Sequence, residues 1–216
     1  MITVISPAKK LELDASLTGL DLTKPDFLQE SRKHHTILRE YKDLDLMELL
    51  HISKNIAELN VNRNQEWKTP FTEKNAVPAV MIFKGDVYQG LDAPSLNKND
   101  LKFSQKHLRI LSGLYGILRP LDLMQPYRLE MGTRLPNDKG KNLYEFWGSQ
   151  LTNKLNQELA AHRSKMLIYL ASNEYFKSSR PKELDAEIIT ISFKDKKNGS
   201  YKMIGIFAKK ARGLMS

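Results

Sequence analysis

The sequence contains no cysteine among its 216 residues. Disulfides, thiolate metal sites and a cysteine nucleophile are therefore excluded, and a response to oxidants cannot use thiol chemistry in this chain. The sequence also has no apolar run long enough for a signal peptide or a membrane span, because proline and lysine interrupt the N-terminal stretch MITVISPAKK. We therefore expect a soluble, cytoplasmic protein without a membrane partner.

The common catalytic fingerprints are absent as well. The chain has no P-loop, GxGxxG, HExxH or GxSxG motif, which removes the familiar nucleotide-binding, metalloprotease and serine hydrolase signatures. Its five histidines show no metal-ligand spacing, and the adjacent His34 and His35 would point in different directions on a helix. We therefore predict no metal site and no cofactor, and we expect these two histidines at the surface or boundary of their helix.

Basic residues, in contrast, are in excess. The chain has 34 lysines and arginines against 25 aspartates and glutamates, giving a formal net charge of +9. This excess favours a polyanionic partner, either nucleic acid or a phosphorylated small molecule, although it also serves solubility alone. The hydrophobic fraction of 41% suffices for a packed core, and no repeat or Gly/Ser linker divides the chain, so we predict one domain over residues 1–216.

Short apolar runs rich in β-branched residues predict strands. The first run is expected to be a central strand, and the run before Ser172 is continuous enough to be buried on both faces, with Ser172 capping the next helix. The Asn-Gly pair at residues 198–199 predicts a hairpin between the last two runs. The predicted strands cover residues 2–5, 80–83, 108–111, 166–171, 188–193 and 201–207.

Helical spacing of apolar residues alternates with these runs. It predicts two helices within residues 26–60 and one amphipathic helix over residues 143–159. Asn99 is expected to cap a further helix that leads into the strand at residue 108. The expected fold is therefore α/β, or mixed α+β: a single domain in which helices flank a mixed β-sheet.

Residues 107–132 (HLRILSGLYGILRPLDLMQPYRLEMG) combine glycines, prolines, charges and tyrosines within an apolar frame. We predict that Gly113 and Gly116 release the backbone and let a ligand approach it closely. The plainer alternative is that glycine and proline mark only turns here and that the arginines are solvated.

Charged and aromatic side chains in the same segment suggest contacts with nucleic acid. Arg119 and Arg128 are predicted to bind phosphates, and Tyr127 to stack on a base. Asp122 and Glu130 are expected to hold the two arginines in place. This segment would then form one wall of a basic cleft.

Ligands of open α/β sheets bind outside the carboxyl ends of the strands, so polar residues that follow the predicted strands are expected to meet in one cleft. Basic side chains there would neutralise phosphates, whereas for each tyrosine a place in the core is the alternative. The predicted nucleic-acid-binding residues are Lys9, Lys10, Lys84, Gly113, Gly116, Arg119, Tyr127, Arg128, Lys177, Lys209, Lys210 and Arg212.

Carboxylates at the same strand ends allow a different function. Asp86 and Glu174 are candidates for general acid/base catalysis, although their spacing is not diagnostic. The alternative to a DNA-binding protein is therefore an enzyme that acts on a nucleotide or a damaged nucleobase.

Six motifs, in order along the chain, resemble the YaaA family of bacterial peroxide-stress proteins: ISPAK, FKGDVYQGL, HLRILSGLYGILRPLDLMQPYRLEMG, NLYEFWG, LASNEYFK and KKARGLMS. The resemblance implies a cytosolic protein that protects against hydrogen peroxide, limits free iron and binds DNA, duplex or distorted, in a positively charged cleft. It also implies a YaaA-type fold with a helix-hairpin-helix-like element, which would fall at residues 111–116. Family members continue past the position of Ser216, so we expect a YaaA-like domain truncated at its C-terminus.

Overall fold

A five-stranded mixed sheet lies at the centre of the fold. The computed structural model describes residues 1–14, 19–197 and 199–216. The strands are β1 (Ile2–Ile5), β2 (Lys10–Leu11), β3 (Val77–Pro78), β4 (Phe83–Lys84), β5 (Leu108–Ser112), β6 (Gly116–Leu118), β7 (Leu123–Met124), β8 (Met166–Tyr169), β9 (Glu187–Thr190), β10 (Asp195–Lys197) and β11 (Ser200–Lys202).

Helices and loops connect these strands, and together the elements confirm the expected α/β class with a mixed sheet. They are α1 (Leu28–Arg39), α2 (Asp43–Leu50), α3 (Lys54–Glu66), α4 (Ala79–Ile82), α5 (Asp86–Leu91), α6 (Lys98–His107), α7 (Leu143–Trp147), α8 (Gln150–Ala160), α9 (Asn173–Lys177) and α10 (Gly205–Met215), with short 3₁₀ turns at Ala93–Ser95 and Pro181–Glu183. None of these helices, within the described ranges, has the length and apolarity needed to cross a membrane.

The strand order of the main sheet is β6-β5-β1-β8-β9, with β1 in the middle as predicted. The four strands from β5 to β9 in this order are parallel, and β6 adds an antiparallel edge. All four residues of β1 are buried, because strands flank it on both sides and helices cover its faces. The chain leaves β1 for β5 on one side and reaches β8 on the other, so the direction of winding reverses at β1.

Four local predictions need correction. Residues 80–83 are mostly the short helix α4 and not a strand, since an apolar run of this length does not distinguish a buried helix from a buried strand. Residues 26–60 hold three helices, because His51 adopts a left-handed conformation that ends α2. The helix predicted over residues 143–159 is interrupted at Gly148, whose φ of 49° separates α7 from α8. Asn97, not Asn99, caps α6, and its side chain accepts from two backbone N–H groups of the first turn.

The hairpin near the C-terminal end is confirmed, although its strands are shorter than predicted. The strands β10 and β11 pair antiparallel around Gly199, which has a φ of 78°. Asn198 lies outside the described residues. Residues 187–190 instead extend the main sheet as β9, parallel to β8, so the two predicted runs do not pair with each other.

Residues 111–116 do not form a helix-hairpin-helix element. They are the tip of the antiparallel pair β5–β6, in which Leu111 faces Ile117 and Ser112 faces Gly116. Gly116 has a φ of 69°, the left-handed conformation that a tight turn between two strands requires. The glycine spacing here therefore serves a β-hairpin.

His34 and His35 are buried on the inner face of α1, and neither lies at the surface as predicted. The His34 ring packs on Phe146 with 3.8 Å between ring centroids, and neither of its nitrogens has a hydrogen-bond partner among the described residues. The His35 ring stacks on Trp67 at 4.3 Å. Burial lowers the pKa of each histidine to about 4, so both are neutral in the folded protein at pH 7.

We expect this burial to make the stability of the fold depend on pH. The pKa of His34 is lower in the folded state, about 4, than the ordinary histidine value of 6.5, so the unfolded chain takes up the proton first. The stabilisation is complete above pH 6.5 and is lost as the pH falls towards 4, by about 3 kcal/mol for His34.

Urea unfolding of the wild type and His34→Leu at pH 7 and pH 4.5 measures the effect. The variant should lose this part of the pH dependence, whereas His51→Asn, at an exposed position, should keep it; equal pH dependence in all three proteins would contradict the prediction.

Candidate functional site

A cleft of about 960 Å³ opens where the chain leaves the carboxyl ends of the parallel strands. Lys9 follows β1 and Glu174 follows β8, and the segment at residues 128–136 forms the wall between them. The helix α2 closes the opposite side with residues 45–51. This is the position, next to a reversal of winding, at which open α/β sheets bind ligands.

Hydrogen bonds between the strand ends fix the floor of this region. The Ser172 backbone N–H donates to Ser6 Oγ at 2.8 Å, which ties the segment after β8 to the segment after β1. Tyr88 donates its hydroxyl to the Ser6 carbonyl at 3.1 Å. At the end of β5, the hydroxyls of Ser112 and Tyr127 are hydrogen-bonded at 2.7 Å. The strands β1 and β8 are therefore joined at their ends by hydrogen bonds, and β5 beside them ends in a separate pair of bonded hydroxyls.

A carboxylate shared by two cations stands in the cleft wall. Glu130 Oε1 accepts from Arg128 Nε at 2.8 Å and lies 3.0 Å from Lys9 Nζ. The side chains of Arg128 and Glu130 are only 16% and 17% exposed, whereas that of Lys9 is 68% exposed. Glu130 therefore fixes Arg128 within the wall and holds Lys9 at the rim, which agrees with the role expected for this carboxylate.

The second oxygen of Glu130, Oε2, is buried and has no hydrogen-bond partner among the residues that the structure describes. Buried polar atoms are nearly always paired, so such an atom calls for a functional or structural explanation. Nearby, burial raises the pKa of Tyr127 and of Tyr175, and the charge of Glu130 raises both further. Both phenols are consequently neutral at pH 7 and leave the carboxylate charge uncompensated on that side.

Glu174 borders the cleft from the first turn of α9. Its Oε1 accepts from the Gly132 backbone N–H at 2.9 Å, and its backbone carbonyl accepts from the Tyr144 hydroxyl at 2.9 Å. A Cβ on residue 132 would lie 3.3 Å from Glu174 Oε1, so glycine lets the two segments approach. Glu174 thereby joins the wall at residues 128–136 to the end of β8.

Charges of both signs line the cleft. The charged side chains around it are Lys9, Arg128 and Arg134 together with Asp45, Glu48, Glu130 and Glu174. The acidic residues Asp45 and Glu48 lie on α2, opposite the cations of the strand-end wall. Three cations and four carboxylates thus line the cleft, so it is not the basic cleft that was predicted, although all three cations lie on its strand-end wall.

Of the predicted nucleic-acid-binding residues, Lys9 and Arg128 line the cleft, and so does Glu174 of the proposed catalytic pair. The others do not line it, so the predicted convergence of the whole set in one cleft is not what the structure shows. Tyr127 lies directly before Arg128, but its ring is only 7% exposed and its hydroxyl is bonded to Ser112.

Arg119 is held by acidic residues in a different place. It donates to Asp122 from its backbone N–H at 2.8 Å and from its side-chain Nη2 at 2.9 Å, as expected of that pair. It also donates to the Lys24 carbonyl at 2.8 Å and pairs with Asp26 at 3.3 Å. These contacts fasten the turn after β6 to the segment before α1, and they satisfy the guanidinium internally.

The remaining lysines and arginines of the predicted set lie on other surfaces. Lys84 pairs with Glu12 at 3.2 Å beside β2, the exposed strand that carries Lys10. Lys177 lies over the Tyr144 ring at 4.9 Å from its centroid. The rest belong to α10, namely Lys209, Lys210 and Arg212.

Asp86, the other predicted catalytic residue, begins α5 and lies 3.9 Å from Lys209 Nζ. Its partner helix α10 packs so closely on α5 that a Cβ at Gly213 would lie 1.7 Å from the Val87 carbonyl oxygen. Asp86 does not line the cleft, so it is not placed to share a substrate with Glu174 there.

Gly113 and Gly116 approach protein and not a ligand. A Cβ on Gly113 would lie 2.3 Å from the Leu129 carbonyl oxygen, and one on Gly116 would lie 2.9 Å from the side chains of Trp147 and Leu151. Gly113 thus lets the β5–β6 hairpin pack against the segment that carries Arg128 and Glu130.

The far wall of the cleft was not predicted from the sequence. Tyr41 and His51 line the cleft from the two ends of α2, and Arg134 lies opposite them. The spacing of these three residues matches no motif, and the sequence of α2 predicts only an amphipathic helix. Glu130 also lines the cleft on the strand-end side. It was predicted from the sequence only as a residue that holds Arg128 in place.

Comparisons with known proteins agree with the sequence motifs. A family model described as "Peroxide stress protein YaaA" matches residues 1–216. UPF0246 proteins of two strains of Aliivibrio fischeri, MJ11 and ATCC 700601 / ES114, are each 56% identical over 216 residues, covering 100% of this chain and 83% of the relative. A UPF0246 protein of Idiomarina loihiensis is 55% identical, covering 100% of this chain and 84% of the relative.

Proposed function

This chain belongs to the YaaA family of peroxide stress proteins, and we propose that it serves the peroxide response in the cytosol by binding DNA at the strand-end cleft. The observation that carries the proposal is the pair of cations, Lys9 and Arg128, held side by side on Glu130 where three parallel strands end. An open position at strand ends with cations already oriented suits the phosphates of a nucleic acid backbone.

The charge distribution favours one form of DNA over another. A duplex presents two phosphate backbones, and the acidic residues Asp45 and Glu48 on the far wall would repel the second of them. A single strand, or a distorted site where one strand separates from the other, brings one backbone to the cationic wall. We therefore propose distorted or single-stranded DNA as the preferred ligand, bound without sequence preference.

A salt titration tests this proposal. We expect Lys9→Gln combined with Arg128→Gln to weaken binding of a fluorescent oligonucleotide, and to lower the slope of log K against log salt by about two phosphate contacts, or roughly 1.4 for a single strand. Fluorescence anisotropy at several salt concentrations measures both quantities. The control is Lys209→Gln combined with Lys210→Gln, which removes the same charge from α10. No binding at low salt, salt-independent binding, or an equal loss in the control would contradict the proposal.

Protection from free iron is a further part of the proposed role, for which the family resemblance is the support. Among the described residues, no group of three or more His, Asp or Glu side chains is arranged to hold a metal ion. We accordingly place the proposed effect on iron downstream of DNA binding.

A second function, an enzyme acting on a nucleotide or a damaged base, is favoured by one observation. Glu130 combines a buried oxygen that has no partner among the described residues with two cations on its other oxygen, an arrangement suited to a general base or to accepting from an N–H group of a base. Glu130 takes the place that Asp86 was expected to have beside Glu174. Incubation with nucleotides and with abasic or oxidised-base DNA tests this: a product formed by the wild type and lost in Glu130→Gln supports it, and no product contradicts it.

A further inference from the structure

Two histidines from distant parts of the chain meet at the amino ends of the parallel strands, at the end of the sheet opposite the cleft. His107 ends α6 directly before β5, and His162 lies between α8 and β8. Their ring centroids are 5.0 Å apart, with an angle of 57° between the ring planes. Neither residue lines the cleft, so the proposed DNA binding makes no use of this pair.

The His107 ring is held in the way that is usual for metal-binding histidines. Its Nδ1 lies 2.9 Å from the Met1 backbone carbonyl oxygen, which only accepts a hydrogen bond, so Nδ1 carries the proton and Nε2 keeps its lone pair. The Phe103 ring stacks on the His107 ring at 4.3 Å between centroids and fixes its plane. Histidines that bind a metal almost always donate their other ring N–H to a carbonyl or a carboxylate. His107 is therefore oriented to bind a metal ion through Nε2.

His162 also has a lone pair to offer at neutral pH. Burial lowers the pKa of His162, and the positive charges of the N-terminal amine, His107 and Arg109 lower it further. A hydrogen bond to the backbone of Lys106 raises this pKa, but by less than the other effects combined. The ring is therefore mainly neutral at pH 7, which is the state in which imidazole binds a metal.

The positive charges around the two histidines are compensated by other groups. The N-terminal amine donates to the Ser164 carbonyl at 2.7 Å, and Arg109 donates to Glu158 at 2.7 Å. In addition, α6 ends at His107 and α8 ends at Ala160. Each histidine thus lies at the C-terminal, partly negative end of a helix, and this favours a cation beside it.

The distance between the two rings fits a shared metal ion. Two imidazoles bound to one tetrahedral or octahedral ion, through nitrogens at about 2.1 Å, have ring centroids about 4.6 to 5.3 Å apart, and the observed separation is 5.0 Å. Imidazole nitrogens suit Zn²⁺, Cu²⁺ or Ni²⁺, whereas Mg²⁺ and Ca²⁺ prefer oxygen ligands. Two histidine ligands leave the remaining coordination positions to water.

We propose that His107 and His162 together bind one divalent late transition metal ion, such as Zn²⁺ or Cu²⁺. The ion joins the C-terminal end of α6 to the segment between α8 and β8, and so holds together the starts of β5 and β8 on either side of β1. No metal site was predicted from the sequence, because these histidines lie far apart along the chain and only the fold pairs them. The inference is independent of DNA binding at the cleft.

Titration with Zn²⁺ tests the proposal, using chelator-treated protein without a histidine tag. We expect the wild type to bind one equivalent of Zn²⁺ by calorimetry and to unfold at a higher temperature with the ion than without it. His107→Gln and His162→Gln should each lower the affinity by at least about tenfold, since losing a group that merely orients a metal ligand already costs about that much. His51→Asn, at an exposed histidine of the cleft, is the matched control and should bind Zn²⁺ like the wild type. Mg²⁺ should leave the unfolding temperature unchanged.

Bound Cu²⁺ gives a signature that a purely structural role of the two histidines would not produce. Electron paramagnetic resonance should show coupling to nitrogens of two imidazoles in the wild type and of one imidazole in either variant. Because His107→Gln also loses the hydrogen bond to Met1, His162→Gln decides the result if His107→Gln does not fold. No Zn²⁺ binding by the wild type, equal affinity in His162→Gln, or loss of binding in His51→Asn would overturn the inference, and none of these results bears on DNA binding.

Discussion

Replacing Arg119 with alanine is expected to destabilise the protein by about 3 to 5 kcal/mol, because it leaves a buried charge without its partner. Asp122 is fully buried, and Arg119 supplies most of its hydrogen bonds, the remaining one coming from Thr23 Oγ1 at 2.6 Å. Burial raises the pKa of Asp122, and the hydrogen bonds from Arg119 oppose that rise. Without the guanidinium, the carboxylate must either remain charged in the core or take up a proton.

Urea unfolding at pH 7 measures this loss, and DNA binding by the folded fraction provides the second readout. We expect unchanged DNA affinity, since Arg119 does not line the cleft. Arg134→Ala is the control for stability: the residue is exposed, and surface changes of this kind remain within about 0.5 kcal/mol. A stable Arg119→Ala variant with weakened DNA binding would return Arg119 to the interface that the sequence predicted.

Gly113→Ala is expected to destabilise the protein by about 3 kcal/mol and to weaken binding in the cleft at the same time. The added methyl carbon would lie 2.3 Å from the Leu129 carbonyl oxygen, a backbone atom that moves only with its chain. That chain continues directly into Glu130. Displacing it shifts the carboxylate on which Lys9 and Arg128 are held.

Thermal unfolding and DNA anisotropy together measure the two effects of Gly113→Ala. Gly205→Ala is the control, since a methyl group there meets nothing within 4 Å and the residue begins α10. We expect the control to match the wild type in both measurements. A Gly113→Ala protein of normal stability would show that the β5–β6 hairpin is not pressed against residues 129–130.

The elements predicted correctly from the sequence are those that a few neighbouring residues determine. The β-branched residues at 2–5 favour a strand, and their apolar character favours a buried position in the middle of the sheet. Ser172 occupies the N-cap position of α9 as predicted, although its side chain makes no capping hydrogen bond, and Gly199 lies at the turn of the C-terminal hairpin. The search for polar residues after strands found three residues that line the cleft, Lys9, Arg128 and Glu174, because parallel strands bring their carboxyl ends to one edge.

Tertiary contacts determined what the sequence did not predict. Arg119 and Arg128 occupy similar surroundings in the sequence, and each has a carboxylate within three residues, yet one faces Asp26 and the other the cleft. His34 has a polar side chain, but the packing of Phe146 against α1 places it in the core.

Amide chemical-shift mapping with a short single-stranded oligonucleotide tests most directly whether DNA binds at the strand-end cleft. We expect the largest shifts, at saturating oligonucleotide and low salt, to fall on residues 6–10, 127–134 and 172–175. Shifts confined to α10 and its lysines, or to the turn at residues 119–122, would contradict it. So would a spectrum that does not change when the oligonucleotide is added.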